Sequence, residues 1–147
     1  MAVKHVADPA GRKRLAREAE LLRRAEHPNV VRLVAAEDDE LRTRFVTATT
    51  AADLTPGDAA AAVAVAIALA AAVDELHRAG VAHNRIAGDH VLIGTAGEPV
   101  LCGFADAVLR AHADAAAGRA AQQRDVAGVG AVLEELLDRA PRPSGLR

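Results

Sequence analysis

The fold of this chain is decided by residues 76–105, which read LHRAGVAHNRIAGDHVLIGTAGEPVLCGFA. A long apolar helical pattern ends near His77, and Gly80 stops it. After a polar loop, two short apolar runs at 91–93 and 99–102 flank a glycine-containing turn and predict a β-hairpin. A helix, a loop and a hairpin in succession indicate a small domain of the α+β class.

The N-terminal part of the chain predicts an amphipathic helix. Asp8 is suited to cap it, and Pro9 is suited to its first position. Between Arg12 and Ala25, apolar residues recur at helical spacing, so one stripe is expected to face the core. This stripe consists of Leu15, Ala19, Leu22 and Ala25. The His-Pro-Asn sequence at 27–29 ends the helix, because the residue before a proline is pushed out of helical geometry.

Further elements are expected on both sides of the chain's middle. Strands over 30–34 and 41–47 pair as a hairpin, with the acidic run 37–40 as its solvated turn. The alanine-rich stretch 106–123 has no clear apolar stripe and is either helix or loop. A last helix is expected from about 125 to 137.

A central helix is predicted to begin at Thr55, with Pro56 in its first turn and Asp58 as the reciprocal carboxylate of a capping box. It continues to His77. Because it is apolar nearly all round, it is expected to lie buried in the middle of the domain. Its nearly uncharged part, 59–73, spans about 15 residues, fewer than the ~20 needed to cross a bilayer, so no membrane span is expected.

Composition narrows the class of protein further. The 147 residues include 18 basic and 20 acidic side chains, which give a net charge of -2, and the pI is near 6.3, so nucleic acid is disfavoured as a partner. With 37 alanines and neither Tyr nor Trp, the core must be built from Leu, Val and Ala. Cys102 is the single cysteine, so no internal disulfide forms, and the N-terminal residues show no secretory signal. We expect a cytoplasmic protein.

Several segments resemble, in this order, those of the protein kinase family. They are residues 2–4, 17–20 with 27–31, 76–83, 91–105 and 124–137. The first is similar to the strand that carries the ATP-binding lysine, and the second to the regulatory helix and the strand after it. The third resembles the approach to the catalytic loop and the fourth the hairpin that leads into the metal-binding motif. The fifth resembles the buried helix whose Asp braces the catalytic loop.

The resemblance implies a protein-kinase-like fold related to bacterial serine/threonine kinases. A partial small lobe over 1–52, made of a three-stranded sheet and one helix, would join a reduced, mainly helical large lobe over 53–139. A flexible tail would follow over 140–147. Because the family's glycine-rich loop precedes the lysine strand, the resemblance implies either a kinase-like fragment or a pared-down relative, whose sheet would keep an unpaired edge.

The family's functional residues carry over to only a few positions. The resemblance makes Lys4 and Glu18 the ion pair that holds a nucleotide's phosphates, so both are candidate ATP-binding residues. It gives Asp125, His83 and Phe104 structural roles, with Asp125 accepting backbone N–H groups from the loop at 83–84. ATP is therefore a possible cofactor.

The catalytic positions depart from the family pattern. The catalytic loop, H-R-D-L-x-x-x-N in the family, is here HNRIAGDH over 83–90. Arg85 stands where the catalytic Asp is expected, and a guanidinium has donors only and cannot accept a proton. His90 and Gly103 stand at the two metal-ligand positions, and imidazole is a poor ligand for a hard cation such as magnesium. The resemblance thus implies that phosphotransfer is impaired. It also implies that any bound ATP is held without magnesium.

Other interpretations of these residues stay open. Asp89 and Asp106 are secondary candidates for a base or metal role, although short acidic residues in loops more often cap or turn. His83, Asp89 and His90 are a possible metal group, but loop histidines more often pack and bond backbone. Arg85 in the former catalytic position could hold a phosphate or an acidic partner segment, or have no role. Cys102 is expected to be a buried, inert thiol.

These considerations leave two functions and one further possibility. The first is a pseudokinase, a catalytically impaired kinase-like domain that works as a binding or regulatory module with a protein partner. The second is an ATP-binding serine/threonine kinase relative with residual activity. The further possibility is a truncated product whose exposed edges need another polypeptide.

Overall fold

The computed structural model describes residues 1–46 and 49–145, and within them three α-helices and seven short strands form a mixed α+β structure. The predicted α+β class is confirmed. The helices are α1 (Pro9–Arg24), α2 (Ala59–Arg78) and α3 (Ala115–Arg139). The strands are β1 (Ala2–His5), β2 (Leu33–Ala36), β3 (Glu40–Thr43), β4 (Val81–Ala82), β5 (Val91–Ile93), β6 (Pro99–Leu101) and β7 (Val108–Leu109).

The N-terminal sheet is antiparallel with strand order β1-β3-β2. Its β2–β3 turn is the predicted acidic one, where the backbone N–H of Glu37 donates to the carbonyl of Glu40 at 2.8 Å. Both strands are shorter than expected, because β2 begins at Leu33 and β3 ends at Thr43. Thr47, the predicted end of the second strand, lies outside the described residues. The four residues of β1 are all exposed, so this edge of the sheet faces solvent.

The start of β2 is displaced because the residues before it pair elsewhere. Val30 forms a parallel bridge with Leu101 of β6, and the N–H of Val31 donates to the carbonyl of Leu101 at 2.8 Å. This bridge joins the N-terminal sheet and α1 to the β5–β6 hairpin. The hairpin itself is confirmed as antiparallel, with Cys102 just outside it.

Helix α1 follows the sequence prediction closely. Asp8 caps it by accepting from the N–H of Gly11, and Pro9 is its first residue. The predicted apolar stripe is buried and joins the core. Its members Leu15, Ala19, Leu22 and Ala25 are each at most 4% exposed. A helix whose apolar residues all lie on one face is bound to the core by that face.

Helix α2 differs from the prediction at its start and in its burial. Its cap is Asp58, which accepts from the N–H of Ala61 at 2.7 Å, so the predicted Thr55 cap is wrong. The expectation of burial all round is also wrong. One face, from Ala62 to Leu76, packs against α3 and the hairpin, whereas Ile67 on the other face is 65% exposed.

Helix α2 has 20 residues, and by length and composition alone it could cross a bilayer. The expectation that no apolar stretch is long enough to do so is therefore wrong for the complete helix. Core helices of soluble proteins pass the same test. Helix α2 packs against α3, and 39% of its apolar window is buried.

The alanine-rich stretch left open by the sequence is mostly helix. Asp114 caps α3 by accepting from the N–H of Ala117 at 2.8 Å, so this helix begins ten residues before the predicted start near 125. Ahead of it, β7 pairs with β4, a contact between two-residue strands that the sequence did not predict. After α3, residues 141–145 are exposed and belong to no helix or strand; Leu146 and Arg147 of the predicted tail lie outside the described residues.

Two glycines on α3 provide a matched test of how closely this helix approaches the loop before β5. A Cβ on Gly128 would lie 2.7 Å from the carbonyl oxygen of Ile86, whereas nothing lies within 4 Å of a Cβ on Gly130. We expect Gly128→Ala to lower the free energy of unfolding by about 1–3 kcal/mol, because backbone must move to admit the methyl group. Gly130→Ala should raise it by roughly 0.5–1 kcal/mol through helix propensity.

Urea unfolding of both variants against the parent chain gives the comparison. Equal effects of the two substitutions would contradict the close approach at Gly128.

Candidate functional site

A cleft lies between the N-terminal sheet with α1 on one side and the β5–β6 hairpin on the other. Its cavity measures about 310 Å³. The residues that matter for its chemistry are Lys4, Glu18, Leu41, Leu92, Cys102 and Gly103. Residues of two kinase-like segments, 2–4 and 91–105, therefore line one cavity.

Lys4 and Glu18 are in contact across the cleft wall. Lys4 lies on β1, opposite Leu41 of β3, and Glu18 lies on the buried face of α1. The Nζ atom of Lys4 donates to Oε2 of Glu18 at 2.7 Å. Because Glu18 is only 7% exposed, its carboxylate needs this partner, while the half-exposed ammonium of Lys4 still reaches solvent.

The carboxylate of Asp125 holds the loop that follows β4. Asp125 is fully buried on α3 and accepts from the backbone N–H groups of His83 at 2.9 Å and Asn84 at 2.7 Å. Its Oδ2 atom also lies 2.8 Å from Nε2 of His77, in the last turn of α2. These are the contacts to the loop that the resemblance implied, with His77 as an additional partner.

His83 is a fully buried connector between this loop and the hairpin. Its Nδ1 atom accepts from the N–H of Arg85 at 3.2 Å, so Nε2 carries the proton and donates to the carbonyl of Cys102 at 2.8 Å. Its ring packs edge-on against Phe104, with centroids 4.8 Å apart. Burial lowers the pKa of His83. Both ring nitrogens are used, so the possible metal group with Asp89 and His90 is not assembled here.

Arg85, which the resemblance aligns with the catalytic Asp of the family, is paired with Asp106. The guanidinium Nη1 of Arg85 lies 3.2 Å from Oδ2 of Asp106, and both side chains are more than half exposed. Asp106 is thereby neutralised by a cation. Asp89 is exposed in the 3₁₀ turn at 88–90. The two secondary carboxylate candidates thus lie in different turns, 88–90 and 104–106.

The two positions expected to bind metal pack against each other. The Nδ1–H of His90 donates to the carbonyl of Arg85 at 2.8 Å, which fixes the imidazole. Gly103 has a φ of +74°, and a Cβ there would lie 2.9 Å from Cδ2 of His90. A carboxylate at position 103 therefore does not fit while His90 is present. Within residues 1–46 and 49–145, no group of three or more His, Cys, Asp or Glu side chains is arranged to hold a metal ion.

Cys102 lies at the inner end of the cleft. It is partly buried rather than fully buried, and burial raises the pKa of its thiol to about 11. A thiol in this state is a weak nucleophile at neutral pH. The expectation of an inert cysteine agrees with this chemistry, although its burial is less complete than expected.

Sequence reasoning missed three residues that build this site. His77 was treated only as the end of a helix, and because Asp74, Glu75 and Arg78 are also ionisable residues of its last turns, no local pattern singled it out. Asn84 adopts a φ of +70° and donates through Nδ2 to the carbonyl of Asp106 at 3.2 Å. Arg124 donates to Oδ1 of Asn84 at 2.7 Å, and no local pattern marks that contact.

We expect Asp125→Asn to lower the free energy of unfolding by about 2–4 kcal/mol. An amide keeps one accepting oxygen, so its NH2 group would face either the backbone N–H of Asn84 or that of His83, and at least one hydrogen bond that the carboxylate accepts would be lost. Asp74→Asn is the matched control, because Asp74 makes only an exposed ion pair with Arg78. Chemical unfolding measures both, and a loss no larger for Asp125→Asn than for Asp74→Asn would contradict the bracing role.

We expect stability to fall as the pH drops below about 6.5, because the folded-state pKa of His83 lies below its ordinary value. The unfolded chain then binds a proton that the folded chain excludes, so the free energy of unfolding decreases toward acid and this contribution is constant above pH 7. Unfolding curves between about pH 5 and 8 measure the change. NMR of the ring isolates the group: a His83 that becomes protonated in the folded protein at neutral pH would contradict the assignment.

Comparisons with known proteins add no relative to this picture. No protein-family model matches the chain, and no curated protein matches it.

Proposed function

We propose that this chain is a protein-kinase-like domain that lacks phosphotransferase activity and acts as a binding or regulatory module for a protein partner. The observation that carries the proposal is the pairing of Arg85 with Asp106 at 3.2 Å. Phosphoryl transfer to a hydroxyl needs a carboxylate that accepts or orients the proton. Arg85 at that position is a permanent donor, and it also neutralises the nearest carboxylate.

The contact between His90 and Gly103 supports the same proposal. Kinases neutralise the developing charge of the transferred phosphoryl group with magnesium held by carboxylate and amide oxygens. The side chains present at the two corresponding positions, those of His90 and Gly103, offer no oxygen ligand and do not fit that ion. Without base and metal ligands, most of the stabilisation that such an enzyme supplies is missing.

Support for the kinase-like fold itself comes from contacts that local patterns do not require. Lys4 of β1 reaches Glu18 of α1, and Asp125 of α3 braces the loop at 83–84. Phe104 packs on His83 beneath that loop. These agree with a small lobe of a three-stranded sheet and one helix, joined to a reduced, mainly helical large lobe.

A second candidate function is favoured by the Lys4–Glu18 ion pair beside the 310 Å³ cavity. A lysine held by a buried glutamate at the mouth of an apolar cavity is suited to bind a nucleotide's phosphates. The chain would then be an ATP-binding kinase relative, with the nucleotide held without magnesium.

Thermal unfolding with saturating ATP, in the presence of magnesium or of a chelator, separates the two functions. A ligand at about 100 times its dissociation constant stabilises the folded state by roughly 2.7 kcal/mol, which raises the midpoint by several degrees. We expect no magnesium-dependent shift and no transfer of labelled phosphate to the chain or to a generic protein substrate. Lys4→Ala is the control for a shift caused by ATP alone.

A shift that requires magnesium, or measurable phosphate transfer, would overturn the proposal. A shift with ATP and chelator that Lys4→Ala abolishes would favour the second candidate. The triple variant Arg85→Asp, His90→Asn, Gly103→Asp tests the mapping of these positions. It removes the imidazole that excludes a side chain at position 103, and we expect it to gain a magnesium-dependent shift.

A further inference from the structure

A second, larger groove lies at the C-terminal end of α1. It measures about 970 Å³ and lies between the last turn of α1, the ends of β2 and β3, and the β5–β6 turn. We call it the arginine groove, because Arg23, Arg32 and Arg44 line it. It adjoins the cleft, since Phe45 and Val46 line both.

The three arginines of this groove are exposed and form no ion pair with any carboxylate of the described residues. By contrast, Arg24, the residue after Arg23, forms an ion pair with Glu20 at 3.0 Å. Glu26 and Glu98 also line the groove, which leaves one positive charge in excess. The carboxylate of Glu98 is directed at the N–H of Ala96, at 2.9 Å. The unpaired guanidinium groups are therefore available to an incoming anion.

Arg32 and Arg44 are placed opposite each other. The backbone N–H of Arg44 donates to the carbonyl of Arg32 at 2.8 Å, and both side chains face the groove. Like charges directly opposite on paired segments are destabilising. A carboxylate bound between them would remove that repulsion and accept from both forks.

The walls of the groove between these cations are apolar. Leu33 and Val46 are partly buried against the core, and Phe45 is 61% exposed at the rim. An exposed phenylalanine beside unpaired arginines is the composition expected at the centre of a protein-binding surface. The same composition fits a nucleic acid less well, because the rings that line the groove are those of Phe45 and His27 and the chain has no Tyr or Trp, so few platforms are present for the stacking of bases.

We propose that the arginine groove binds an extended acidic peptide segment of a partner protein. Carboxylates of the segment lie on Arg32 and Arg44, and an apolar side chain packs on Phe45. This inference rests on the proposed function as a binding module and names the class of partner. Arg23, at the end of the groove, contacts a further acidic residue of the segment.

Fluorescence anisotropy with a labelled peptide of alternating Glu and Leu tests the proposal on the full chain. A peptide of alternating Lys and Leu controls for apolar binding, and a labelled polyuridine strand controls for binding to any polyanion. We expect saturable binding of the acidic peptide, weakened by added salt, and weaker binding of the other two.

The variant Arg44→Glu distinguishes the groove from general attraction to positive charge. It should weaken binding of the acidic peptide by about tenfold or more, because one guanidinium is lost and the other gains an intramolecular partner. Removal of the like-charge contact should at the same time raise the unfolding midpoint. Arg14→Glu is the matched control, with the same charge change at an exposed position of α1 outside the groove, and it should leave binding within about twofold.

No saturable binding of the acidic peptide, equal effects of Arg44→Glu and Arg14→Glu, or tighter binding of polyuridine would each overturn the proposal. Failure of this proposal can be told apart from failure of the proposed lack of catalysis. Phosphate transfer from magnesium ATP would overturn the lack of catalysis even if the peptide binds, and absence of peptide binding would leave the lack of catalysis intact.

Discussion

The carboxylate of Asp125 is fully buried, and its charge is tolerated only because three donors converge on it. Two of them are backbone N–H groups of the loop at 83–84, and the third is His77 of α2. One side chain therefore fixes the loop, the end of α2 and the position of α3. His83, held in this way, in turn fixes the carbonyl of Cys102 and the ring of Phe104. The positions of Cys102 and Phe104 therefore depend on the contacts that Asp125 makes.

The elements that sequence patterns predicted well are those in which apolar and polar positions differ clearly and the ends are marked by capping or turn residues. Helix α1 has a proline start, an Asp cap and an apolar stripe, and the β5–β6 hairpin has a glycine-containing turn between two apolar runs. The start of α3 was missed because alanine on every face gives no contrast between a buried and an exposed side. The short β4–β7 pair and the bridge from Val30 to Leu101 are tertiary pairings that no local pattern encodes.

The candidate site was predictable only in part for the same reason. Family resemblance suggested Lys4, Glu18 and Asp125. In the structure Lys4 contacts Glu18, and Asp125 accepts from the backbone N–H of His83. The contact between His90 and Gly103 and the pair formed by Arg85 and Asp106 depend on how the loop lies against the hairpin. The arginine groove was not predicted at all, since its cations come from three segments that are separated along the chain.

Helix α1 also has a consequence for how the chain is made. Arg17 donates to the carbonyl of Ala107, 90 residues later, and α1 packs against the turn at Phe104–Asp106. At typical rates of translation, roughly 5–20 s pass between synthesis of the helix and of these partners. During that interval β2 and β3, which follow α1 directly in the chain, are the elements on which the helix can pack. The contact of α1 with the turn at Phe104–Asp106 forms last, so the two ends of the described structure are joined only when synthesis is nearly complete.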